Sequence, residues 1–275
     1  DVMSMKNRHV LGEAVRHLIL IILALYTLAP LLFLFVNAFK SNNEIIASPV
    51  ALPEHWTLQY IKTAMEAINF GKALGLTFII TFFSILLLVI VSSFAAWAMV
   101  RSKTILSNIV FLCFTAAMLV PFQSLMYPLL SVFEKMGLKN VQGLILMYGG
   151  FGLSMSVFLY HGFIKSVPAS LEEAAVLDGA NLFQMFFKVV FPLLKGTTVT
   201  VIVLNGMWIW NDYLLPFLVI GNKTGSKTLT LELYFAKLTS GQYGNPWELI
   251  FPAVFVTIIP IIILYIFLQK YIVAG

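Results

Sequence analysis

The chain of 275 residues is 60% hydrophobic and only 11% charged, which excludes an ordinary soluble globular domain. Its formal net charge of +5 contains no basic run or stripe, so the excess reads as membrane orientation and not as nucleic-acid affinity. The composition predicts an all-α integral membrane protein forming a single membrane domain over 1–275, with an N-terminal segment and first span at 1–39 and a core at 70–270.

Twenty or so uncharged, mostly apolar residues can cross the hydrocarbon layer as a helix. His17 to Phe39, Ala73 to Val100, Thr104 to Phe133, Asn140 to Ile164 and Leu249 to Gln269 meet that length. Phe187 to Asn211 adds a sixth span if Lys188 and Lys195 snorkel to the surface. Six spans put both termini on one side. With the termini inside, nine Lys and Arg fall in the cytoplasm and eight outside, a ratio that decides nothing. The first span is more telling, because Lys6, Arg8 and Arg16 precede it and only Lys40 follows closely. The turn Arg101 to Thr104 agrees, and the expectation is cytoplasmic termini. His17 to Phe39 is too long for a signal-peptide core. Cys113, alone of its kind, falls inside an apolar span and is expected in the core.

Three segments lie between spans on the outer side. Lys40 to Lys72 reads as extended around Pro49 and Pro53, with Trp56 and Tyr60 suited to an interfacial belt. Glu134 to Lys139 is a short turn around Gly137. The loop 213–248 is expected to carry a helix over Leu229 to Leu238 and turn-forming residues from Ser240 to Pro246. Within it, GNKTGSKT (221–228) resembles a phosphate-cradling loop but has three residues between its glycines where four are required, and Ser226 separates Gly225 from Lys227.

Residues Val167 to Gly196 form a polar two-helix element between spans. Ser170 is expected to cap a helix reciprocally with Glu173. Gly179 can end that helix in the left-handed conformation, and Asn181 can cap a second helix carrying Leu182, Phe183, Phe186, Phe187 and Val190. Pro192 marks the bend into the next span. A helix of two turns does not hold itself together in water, so another surface must support it. In the fifth span, Thr198, Asn205, Trp208 and Asp212 share one helical face. An uncompensated acid at depth costs at least about 2.5 kcal/mol, so this polar face turns inward, either lining a pathway or bonding a neighbouring helix.

The spacing of Glu173, Ala174, Ala175, Asp178, Gly179, Ala180 and Pro192 resembles the cytoplasmic "EAA" signature of permease subunits of binding-protein-dependent ABC importers. Trp210-Asn211-Asp212-Tyr213 followed by Pro216, PVALPEHWTLQYIK in the first external segment, and MLVPFQSLMYPLL in the third span look like the sugar-importing branch. The similarity covers almost the whole chain and is nearest the smaller permease of maltose-type and multiple-sugar importers. That resemblance implies the type I importer permease fold with six spans, no enzymatic activity, and a coupling element at 167–192 that inserts into an ATPase subunit. It further implies a second permease chain, two ATPase subunits that bind the ATP and magnesium, an extracytoplasmic sugar-binding protein, and a plasma-membrane location. This chain would then hold no cofactor. A loop matching Ser240, Gly241, Gln242, Tyr243, Gly244 and Asn245 would reach into the binding protein's cleft, the alternative being a plain turn. The family usually continues past Val273 to Gly275 with a glycine-rich tail. An ion-coupled secondary transporter or a non-sugar importer subunit is the competing reading, and an intramembrane enzyme is disfavoured because no His-Glu-x-x-His or Gly-x-Gly-Asp pattern occurs. Relay charges and an internal repeat, which a secondary transporter would want, are absent from the sequence.

Overall fold

Without water to satisfy it, backbone inside a bilayer must close its own hydrogen bonds, and every regular element among the described residues is helical. The computed structural model describes residues 2–221, 227–240 and 245–273. Four helical stretches are long and apolar enough to span a membrane: Gly12–Asn37 within α1 (Val2–Asn37), α4 (Phe70–Ser102), α7 (Val141–Ile164), and Trp247–Phe267 within α14 (Trp247–Val273). Shorter helices α2 (Asn42–Ala47) and α3 (Gln59–Ala67) lie between α1 and α4.

Two expected spans are bent pairs. In place of one rod over Thr104 to Phe133, α5 (Ile105–Ala117) and α6 (Phe122–Lys135) meet at 106°. Pro121 has no amide to donate and disfavours helical backbone at Val120. The amides of Met118, Leu119 and Val120 accordingly bond three residues back. Cys113 also corrects its expectation, since it is exposed on α5. The fifth expected span bends by 77° between Leu182–Leu193 and Lys195–Asn211. Phe187 and Lys188 therefore precede the bend, and the straight part is α11 (Lys195–Asn211), 17 residues or about 25 Å. Counting each bent pair once gives six spans.

Contacts group the chain into two units. The first, Asp1–Ile68 with Phe235–Ile259, is held by aromatic contacts of Phe33 with Phe251 and of Phe35 with Phe255. Polar ties join α2 to the start of α14: the Asn42 amide donates to Glu248 Oε2 at 3.0 Å, and the Trp247 amide donates to Asn42 Oδ1 at 3.2 Å. Trp56 packs its ring on Phe39.

The second unit, Asn69–Tyr234 with Pro260–Gly275, is built on α4 against α7. Gly149 and Gly152 permit the close approach: a Cβ at Gly149 would stand 2.5 Å from Leu87 Cδ2, and one at Gly152 2.5 Å from Asn205 Oδ1. Buried Thr77, Ser92 and Ser93 return their hydroxyls to carbonyls four residues earlier in α4. Beyond α11 come α12 (Leu214–Val219) and α13 (Leu229–Ser240), which includes the helix expected over Leu229 to Leu238.

Candidate coupling site

Two short helices follow α7. The first is α8 (Ser170–Leu177); the second runs through α9 (Leu182–Met185), a π-helical turn (Phe186–Val190) and α10 (Phe191–Leu193). Ser170 does not cap α8. Ala169 already has helical backbone at φ −65 and ψ −23, and its carbonyl takes the amides of both Glu172 and Glu173 at 3.0 Å. Ser170 is thus the first helical residue, and the amide it was expected to receive is already spent.

The far end of α8 closes as expected. Gly179 has φ +81, the Gly179 amide donates to Val176 O and the Ala180 amide to Ala175 O, the paired bonds of a left-handed helix stop. Two residues on, Asn181 caps α9 through a capping box with Gln184, the two bonds measuring 2.9 and 3.0 Å. The π-helical turn leaves room for Pro192, whose ring would otherwise meet the carbonyl four residues back. The chain then turns at Leu194 into α11.

The anchor of this element is Glu172, a residue the sequence reasoning passed over in favour of its neighbour. Glu172 is 8% exposed. One carboxylate oxygen accepts from Arg101 Nε at 2.8 Å and pairs with Arg101 Nη2 at 2.7 Å, and the other accepts from Trp97 Nε1 at 3.1 Å. Arg101 Nη2 also donates to Val167 O at 3.0 Å. Arg101 stands in the last turn of α4, where a cation suits the helix dipole. Beneath the anchor, buried Phe186 meets Phe94 and Trp97 at ring distances of 5.0 and 5.3 Å, and Val190 and Leu194 join the same core with Val157, Tyr160 and Ile164.

Glu173, Ala174, Asp178 and Gly179 face outward, Ala175 is buried and Ala180 half-buried. With the exposed members come large apolar side chains: Val176, Leu177 at 89% exposure, Leu182 and Phe183. An apolar patch of this kind, rimmed by acids and held by a rigid base, has the character of an interaction surface. A signal for Glu172 was present in the sequence: it lies three residues before Ala175, on the same helical face, and Arg101 closes an earlier span, α4.

The polar stripe of α11 meets α7. Tyr160 Oη donates to Thr198 Oγ1 at 2.9 Å, Asn205 Nδ2 donates to Ser156 Oγ at 3.1 Å, and Tyr148 Oη donates to Asp212 Oδ2 at 2.9 Å. Asn205 is 5% exposed, so here it bonds a neighbouring helix instead of lining open space. Trp208, at 43% exposure, stands edge-on to Tyr148. Tyr148, Ser156 and Tyr160 recur at intervals of eight and four along α7, a polar seam concealed by its aromatic members. In the loop 213–248, Ser240 ends α13 and Asn245 is exposed, while Gly241, Gln242, Tyr243 and Gly244 lie outside the described residues, as do 222–226.

The sequence pattern of the binding-protein-dependent transport system inner membrane component matches residues 88–275. A probable starch degradation products transport system permease protein, AmyC of Thermoanaerobacterium thermosulfurigenes, is 43% identical, covering 93% of this chain and 92% of its own length. The multiple sugar-binding transport system permease protein MsmG of Streptococcus mutans is 34% identical over 98% of each chain. A crystal structure of a bacterial ABC transporter involved in the import of the acidic polysaccharide alginate contains a chain that shares the fold, with a TM-score of 0.81, 23% identity, and coverage of 95% of this chain and 96% of that one. Two bent spans, a capped helical pair with an apolar outer face and these similarities converge: the chain is a multi-pass transport permease of the binding-protein-dependent inner membrane component family.

Proposed function

We propose that the chain is one of two permease subunits of an ATP-driven importer of sugars of the oligosaccharide class, and that residues 170–192 receive the ATPase stroke. Family membership itself implies a partner ATPase and a solute-binding protein. The sugar assignment is supported by the names of relatives, among them the starch-product and multiple-sugar permeases and the melibiose/raffinose/stachyose import permease MelC of Bacillus subtilis, 32% identical.

The observation that carries the coupling role is the combination of an exposed apolar face at Val176, Leu177, Leu182 and Phe183 with a buried anchor at Glu172. Glu173, Ala174, Asp178 and Gly179 frame that face, and Ala175 and Ala180 seat it. On this reading both termini and the element are cytoplasmic, the second permease completes the pathway, and ATP with magnesium is held by the ATPase pair. Trp208 is the member of the α11 stripe left to line that pathway, and the segment from Ser240 to Asn245 reaches the binding protein.

Replacing Leu177 and Leu182 by Asp tests the assignment, because both are exposed, whereas Phe183 also stacks on Phe94. The expected result is a chain that inserts and pairs normally but no longer retains the ATPase on purification. Retention of the ATPase with unchanged ATP-dependent sugar uptake would overturn it.

A further inference from the structure

We infer that α4 is a tie rod that joins the outer helix α13 to the coupling helix α8, so that movement at either is felt at the other. The inference rests on the coupling reading above and names the route through this chain.

Both ends of α4 carry bonds to those helices. At the start, the buried Leu229 amide donates to Thr77 Oγ1 at 3.0 Å, and the Asn69 side chain bonds the Glu232 carboxylate, which also pairs with Lys227 at 3.7 Å. Ala73 of α4 packs in one core with Leu229. At the other end, Trp97 and Arg101 hold Glu172 of α8. About 36 Å of helix separates Thr77 from Arg101. Over that length α4 is a single 33-residue helix with no proline and no break, and the Ser92 and Ser93 hydroxyls are bonded back into it.

The competing route follows the chain. From α8 it passes the left-handed Gly179, the π-helical turn and the 77° bend at Leu194 before reaching α11. It then meets α13 through Thr230 Oγ1, which donates to Asp212 O at 2.7 Å. Each of those features is a place where displacement can be absorbed. An unbroken helix bonded at both ends has fewer such places, which is why the structure favours α4.

The test uses the purified complex with its ATPase partners and needs no sugar. In a Cys113→Ser background, Leu233→Cys on α13 reports the outer end through its rate of reaction with a water-soluble maleimide. Trapping the ATPases with ATP, magnesium and vanadate is expected to change that rate about five-fold or more, the lower range of allosteric couplings. Thr77→Val with Asn69→Gly, which removes the outer ties, should abolish the change while vanadate trapping persists, and Glu172→Gln, which weakens the inner tie, should abolish it in complexes that retain their ATPases. Thr230→Val, which cuts the α11 route, should leave it intact. The exchanged pair Arg101→Glu with Glu172→Arg should restore both assembly and the change if Glu172→Gln alone assembles poorly. Persistence of the change in either assembled tie variant, its loss in Thr230→Val, or an exchanged pair that traps vanadate yet stays silent at position 233 overturns the tie rod. Failure of the unaltered chain to retain an ATPase would instead overturn the coupling reading and this inference with it.

Discussion

Tyr148 of α7 and Asp212 at the end of α11 lock two spans together. The phenol donates to Asp212 Oδ2 at 2.9 Å while Asp212 Oδ1 accepts the Leu214 amide at 3.0 Å. One carboxylate thereby fixes the neighbouring helix and starts α12. The Tyr148 ring, fully buried, meets Trp208 edge-on at 5.4 Å.

Removing that phenol should therefore cost more than removing a similar one elsewhere. Tyr148→Phe loses a hydrogen bond to a charged group and is expected to destabilise by about 2 kcal/mol, whereas Tyr160→Phe loses a neutral bond to Thr198 and should cost about 1 kcal/mol. Thermal unfolding of the purified protein in detergent orders the two, and equal midpoints would contradict the special standing of Asp212.

The contact of α7 with its neighbours gives a sharper contrast between adjacent glycines. A Cβ at Gly152 would crowd Asn205 Oδ1 at 2.5 Å and Leu88 Cδ1 at 2.7 Å, while one at Gly150 meets nothing within 4 Å. Gly152→Ala should cost about 1–3 kcal/mol through overpacking, and Gly150→Ala should be neutral or slightly stabilising. Unfolding midpoints that fall equally for both would show that the helices readjust.

Gly179 and Asn181 can be separated in the same way. No side chain crowds Gly179, so Gly179→Ala pays only for left-handed backbone, about 1 kcal/mol. Asn181→Ala loses the cap of α9, again about 1 kcal/mol. Neither should impair membrane insertion, but both should weaken ATPase retention, measured by co-purification under increasing detergent stringency. Undiminished retention in both would mean that the ATPase imposes the shape of the pair.

Glu44 supplies a pH signature in the first unit. Its carboxylate accepts from the Ser41 amide, the Ser41 hydroxyl and the Glu54 amide, and these bonds hold its pKa below the usual 4.5. A depressed acid stabilises fully above its unfolded pKa, and the contribution is lost as pH falls through the folded value. Glu44→Gln should thus be less stable than the parent at pH 7, with the difference shrinking below about pH 4. A difference in melting temperature that stays constant from pH 7 to pH 3.5 would rule out the ionised cap.

Much of the architecture was legible because a bilayer leaves the backbone few choices. The four unbroken spans announced themselves as long uncharged stretches, and Gly179 and Asn181 were readable because left-handed backbone and helix caps have strong residue preferences. The bend at Pro121 was not read, since hydrophobicity counts do not register a missing amide inside an apolar run. Ser170 failed for a local reason: one helical residue before it shifted the start of α8. Glu172 was overlooked because its partners, Trp97 and Arg101, are more than seventy residues away in sequence, and charge counting treats Arg101 as a mark of sidedness instead of a bonding group. The α11 stripe was found as a face, but its facing partners on α7 are two tyrosines and a serine that hydropathy hides.

The helical pair at 170–193 is stopped and restarted by its own backbone, at Gly179 and Asn181, and not by anything an incoming protein must provide. On the proposed coupling role, an ATPase would meet a plug already in its final shape, and little ordering entropy would stand against docking. Shape and identity would then be carried by different atoms: the Gly179 backbone and the Asn181–Gln184 cap set the outline, while Leu177 and Leu182, exposed on it, would carry the partner's preference. One outline with changeable tips would then let related permeases share an ATPase or refuse it by altering two or three surface side chains, leaving the spans untouched.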